Sequence, residues 1–207
     1  MATAKKLETL TQAQIDAQTE FKCLALDVST ATGPSNRELV IPAFKEIYKS
    51  LLNYNEPKYF VFVQSPMQAN IILTMFANDT TDSHQTVTLE NNDEFVKNII
   101  NSFDGEMKLN SSDFFSSEGC KSRVLYYYKY MRDVGGVRYQ EKDNRILEAF
   151  ETIVKNSGRY FLCDDTVIVC DRPSSIQIDS ALLPDDSEYM VCEFSDGSKI
   201  CSSFREY

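Results

Sequence analysis

Residues 58–66 read Lys-Tyr-Phe-Val-Phe-Val-Gln-Ser-Pro, a packed apolar run that stops abruptly at a serine and a proline. Tyr59 to Val63 are all aromatic or β-branched, the side chains that suit a pleated and buried surface, so a buried strand is predicted over Lys58–Val63. A serine hydroxyl caps a helix N-terminus, and proline fits the first helical position, where its missing N–H costs nothing. Ser65-Pro66 therefore predicts a helix over Met67–Phe76, carrying Ile71, Ile72, Met75 and Phe76. Upstream, Leu39, Val40, Phe44, Ile47, Tyr48, Leu51 and Leu52 recur at helical intervals. Ser35 and Glu38 have capping-box spacing. Pro42 would lose an interior hydrogen bond and crowd the preceding turn, which predicts a start near Ile41. Gly33-Pro34 marks a turn. Before it, residues 1–32 form a mildly amphipathic arm or helix with Leu7, Leu10, Ile15 and Phe21.

Downstream, Asn78–Asn92 reads as a polar loop. Helices are predicted over Asp93–Phe103, Lys121–Met131 and Gln140–Asn156, the last with the cleanest stripe: Ile146, Leu147, Phe150, Ile153 and Val154. Gly158 sits where a left-handed C-terminal cap belongs. Beyond it the pattern changes to short strands: Thr166–Cys170, Ser175–Ile178, Tyr189–Phe194 and Lys199–Phe204. Asp171-Arg172-Pro173 is read as the turn joining the first two. The expected fold class is α+β: a helical N-terminal and middle part around a short strand, with a C-terminal antiparallel β-meander. The expected organisation is a single domain over 1–207, comprising the arm (1–32), a mainly helical part (33–158) and the meander (159–207).

Asp196-Gly197 is a hairpin signal. With a two-residue loop, opposed positions sum to 393, and Cys192 faces Cys201 with Cα atoms about 4.5 Å apart, near the short end of disulfide geometry. A three-residue loop with a bulge would shift the register and remove the pairing. The six cysteines contain no C-x-x-C pair. Without an export signal, reduced thiols are the expectation, and no metal or cofactor is expected.

Composition narrows the class further. The polar start, Met1–Glu20, lacks the apolar run of a secretory signal, and no window approaches the ~18 apolar residues of a spanning helix. The expected location is the cytoplasm (host cytoplasm or virion if phage-encoded), with no membrane partner. Net charge is −10 and unevenly spread. Lys121–Arg145 holds seven bases against three acids, whereas Tyr160–Ser198 holds nine acids against Arg172 alone. Such asymmetry bears on association more than on fold.

Candidate chemistry is sparse. There is no G-x-S-x-G, H-E-x-x-H, G-x-G-x-x-G or P-loop motif. The one histidine, His84, lies in the polar loop without an identifiable nucleophile or orienting partner. Clustered turn carboxylates, above all Asp164, Asp165 and Asp171, offer an alternative: a metal-dependent hydrolase or small-ligand site. Basic residues interleaved with tyrosines between Lys121 and Arg145 suit either a protein partner or single-stranded nucleic acid. The candidate interaction surface comprises Lys121, Arg123, Tyr127, Lys129, Arg132 and Arg138. Against it stands an ordinary helix burying Tyr127, Tyr130 and Met131 with its lysines in water. The net negative charge weighs against an unaided phosphate binder.

Several pieces, in order, are similar to an uncharacterised bacterial and phage family known only as a domain of unknown function. They are Ile47-Tyr48 through Pro57, then Phe60-Val61-Phe62-Val63-Gln64-Ser65-Pro66, then Ser157-Gly158-Arg159-Tyr160-Phe161. Val167-Ile168-Val169-Cys170-Asp171-Arg172-Pro173 and Asp196-Gly197 follow. They cover about half the chain; residues 79–125 do not match, and the tryptophan-containing middle repeat often seen in the family is absent. The resemblance implies a shared fold and supplies no catalytic residues. The missing catalytic constellation and the polarised charge give the expected function: a non-enzymatic interaction or structural protein, of phage or mobile-element type, which binds a protein partner or itself.

Overall fold

A computed structural model describes residues 11–52, 54–78, 118–179 and 188–204. His84 and the predicted helix Asp93–Phe103 lie outside the described residues. The chain is α+β. Helix α1 (Gln12–Ser29) is followed by α2 (Arg37–Ile47), which continues into one π-helical stretch (Tyr48–Leu52). Strand β1 (Tyr59–Val63) and helix α3 (Pro66–Asn78) come next. Helices α4 (Glu118–Asp133) and α5 (Glu141–Asn156) precede five short strands. These are β2 (Tyr160–Leu162), β3 (Thr166–Cys170), β4 (Ser175–Asp179), β5 (Glu188–Glu193) and β6 (Lys199–Phe204).

The strands form two sheets. The first has the order β1-β3-β2, with β1 parallel to β3 and β2 antiparallel to it. Its central strand is buried along its whole length. Phe60, Phe62, Val167 and Val169 point to one face, against Val40, Ala43, Phe44 and Ile47 of α2, Tyr48, and Ala149 and Ile153 of α5. Val61, Val63, Ile168 and Cys170 point to the other, against Ala69 and Ile72 of α3. Burial of each such side chain contributes roughly 1.5–3 kcal/mol, so this doubly covered sheet is the energetic centre of the fold. Helix α1 packs outside it, on α4 and α5, through Phe21, Ala25, Leu125, Tyr126 and Leu147.

The second sheet is the C-terminal meander β4-β5-β6. Thr166–Cys170 is not its first strand. It leaves the meander to pair with β1, and Asp171-Arg172-Pro173 links the two sheets instead of turning a hairpin. Arg172 holds that link by donating to the carbonyls of Val154 (2.6 Å) and Ser157 (3.1 Å) at the end of α5. A second tie runs from the Ser65 hydroxyl to Asp196 (2.5 Å); the same hydroxyl accepts from Gln68 N, so one serine caps α3 and anchors the β5–β6 turn.

Three other local expectations change. Helix α2 starts at Arg37 with Asn36 as its cap, and Pro42 lies inside it. The proline falls near the N-terminus, so one hydrogen bond at most is lost there. Ser35 is released from capping; its hydroxyl donates to Cys170 O and its N–H to Asp171. Gly158 is not in the left-handed region; a Cβ there would lie 2.8 Å from the Asp171 carbonyl carbon and 2.9 Å from Cys170 O, so glycine is required by close approach. The β5–β6 connection is the bulged three-residue loop. Gly197 has φ +82°, its N–H donates to Phe194 O, and Phe194 N donates to Ser198 O. Opposed positions therefore sum to 392. Cys192 pairs with Ile200 in the interior and Cys201 with Val191 outside, which removes the Cys192–Cys201 pairing. A one-residue slip sends every side chain to the other face.

Candidate protein-interaction face on helix α4

Helix α4 is apolar on two opposite sides. The inner side carries Ser122, Leu125, Tyr126 and Tyr130, all buried. Phe21 of α1 meets the Tyr126 and Tyr130 rings edge-on at 6.3 and 5.8 Å, and the Tyr130 hydroxyl donates to Gln14 O (3.2 Å). Burial pushes the Tyr126 phenol above its ordinary pKa. Once this side is fixed by packing, the helical period dictates the rest. Val124, Tyr127, Tyr128 and Met131 fall at i, i+3, i+4 and i+7 on the side turned away from α1. Val124 is 48% exposed, Tyr127 60% and Tyr128 48%, and Met131 is half-buried.

The helix ends in a way that extends this outer stripe. Gly136 has φ +69°, and Val137 N donates to Met131 O (3.0 Å), which turns the chain back over the last turn of the helix. The reversed chain brings Tyr139 beside Tyr128, with rings edge-on at 6.3 Å and the Tyr139 hydroxyl donating to Tyr128 O (3.2 Å). Tyr127 in turn meets Tyr128 at 5.8 Å. Three tyrosines thus form a connected strip, and Arg138 and Lys142 beside it are exposed.

The six sequence-predicted surface residues divide. Tyr127 and Arg138 face outward. Lys121 and Arg123 lie on α4, but their side chains are outside the described residues. Arg132 bonds its neighbour Asp133 at 2.7 and 3.4 Å. Lys129 is not solvated: it pairs with Glu151 of α5 at 2.5 Å, and Lys155 reaches the same carboxylate at 2.6 Å. Burial alone would raise the Glu151 pKa, but the two ammonium groups outweigh it and hold it below the usual carboxylate value. The simple expectation that Tyr127, Tyr130 and Met131 share the buried side is also corrected, because Tyr126 takes the inward place of Tyr127. Val124 and Met131 are the members that sequence reasoning missed, and Tyr128 and Tyr139 entered it only as tyrosines interleaved with bases. The signal for Val124, Tyr128 and Met131, i, i+3, i+4, i+7 spacing, lies in the sequence.

The carboxylates do not converge. Asp164 and Asp165 are exposed on the β2–β3 turn, and Asp171 lies at the opposite end of β3, about 20 Å away along the strand. Asp171 accepts from Ser35 N (2.8 Å). Asp165 accepts from the Thr166 hydroxyl (3.0 Å), and with Asp164 it borders an open groove shared with Tyr54, Asn55, Glu56 and Lys58. Among the described residues no three His, Cys, Asp or Glu side chains gather as a metal site. The Cys163 thiol at this turn has its pKa raised by burial first and by Asp164 and Asp165 next, which suppresses the thiolate a nucleophile needs. Comparison with known protein families, curated proteins and solved structures finds no match.

Proposed function

We propose that this chain is a non-enzymatic interaction protein that binds a protein partner through the outer side of α4. One observation carries the reading: Val124, Tyr127 and Tyr128, with half-buried Met131, form a helical apolar stripe that stays largely exposed among the described residues although the opposite side of the same helix is fully used. Tyrosines on rigid elements give large contact area at small entropic cost and are enriched at the centres of interfaces. No helix among the described residues is long and apolar enough to cross a membrane. Single-stranded nucleic acid is less favoured, because Lys129 and Arg132 spend their charge within the fold and the whole chain carries −10.

The test is a photo-crosslinking amino acid placed at Tyr127 in living cells, with Leu162 on the β2 edge as the comparison position. A discrete adduct from position 127, absent from position 162 and lost on adding Tyr128→Glu, is expected. No adduct from position 127 would overturn the reading.

A further inference from the structure

We draw no further inference here: the strongest candidate, the open groove that Tyr54, Glu56 and Lys58 form with Asp164 and Asp165 of the β2–β3 turn, is a cluster of exposed carboxylates with no second observation among the described residues that points to a ligand.

Discussion

Replacing Gly158 with alanine tests how the entry to β2 is held against the end of β3. The added methyl would press on the Asp171 carbonyl, 2.8 Å from its carbon and 2.9 Å from Cys170 O, where ordinary carbon contacts need about 3.5 Å or more. All these atoms are backbone, so no side chain can rotate away. The approach is also fastened by Gly158 N donating to Cys170 O (3.0 Å) and Cys170 N donating to Arg159 O (2.7 Å). Separation would weaken both bonds, each worth about 0.5–1.5 kcal/mol, and the crowding itself costs about 1–3 kcal/mol. Alanine's stiffer unfolded chain returns about 0.4–1 kcal/mol. The net loss is about 2–3 kcal/mol. With a urea slope of about 2 kcal/mol per molar, the unfolding midpoint should fall by about 1–1.5 M. Gly136→Ala is the comparison, because its Cβ meets open space and only its φ of +69° is strained, a cost of about 1–2 kcal/mol. A Gly158→Ala midpoint within about 0.3 M of the parent would refute the close-approach argument.

Three further outcomes are expected. Tyr48 is fully buried, its hydroxyl donates to Cys163 O (2.5 Å) and Thr166 O (3.2 Å), and burial pushes its pKa up to about 12 from 10.0. The folded state thus favours the neutral phenol: its stabilisation is complete below pH 10 and fades as pH rises through 12. Urea melts across that range should show Tyr48→Phe losing about 1–3 kcal/mol at neutral pH and converging with the parent at the alkaline end. Glu151→Gln leaves Lys129 and Lys155 without their shared carboxylate and should cost about 1–2 kcal/mol at pH 7. The Glu151 pKa is depressed on folding, so the parent loses this advantage as pH falls below 4.5 and through the lowered pKa, and the two proteins should draw together as acidification proceeds. Asp196→Ala removes the acceptor of Ser65 together with that of Ser198 N and Oγ within the turn, and should speed hydrogen exchange in β4–β6 while leaving β1 and β3 protected; uniform protection would refute the role of Asp196 as an anchor.

Much of the architecture was legible from local chemistry. Ser65-Pro66 capped α3 as read, because capping depends on a hydroxyl and a missing N–H a few residues from the helix they start. The boundaries of α5 followed from its periodicity to within a residue, and α4 overlaps its expected span but runs a few residues further at each end. The strand partners were partly encoded as well. Tyr-Phe-Val-Phe-Val and Thr-Val-Ile-Val-Cys are continuous apolar runs, the signature of strands covered on both faces, whereas Ser-Ile-Gln-Ile-Asp alternates as a half-exposed strand does. Reading that difference would have moved β3 out of the meander. The apolar stripe of α4 was likewise visible as spacing, but spacing alone gives two candidate stripes and cannot say which one is covered.

What sequence by itself determined were the α+β class, the helix and strand starts, and the charge polarity, since each arises from interactions within a few residues or from composition. Tertiary structure alone decided that β3 runs beside β1, that Gly158 is squeezed by a distant carbonyl, and that Cys192 and Cys201 look to opposite sides. It also decided that Phe21 claims Tyr126 and Tyr130 and leaves Tyr127 and Tyr128 in water. Each of these depends on which remote surface arrives, and a helix offering apolar side chains all round takes its inside from its neighbours.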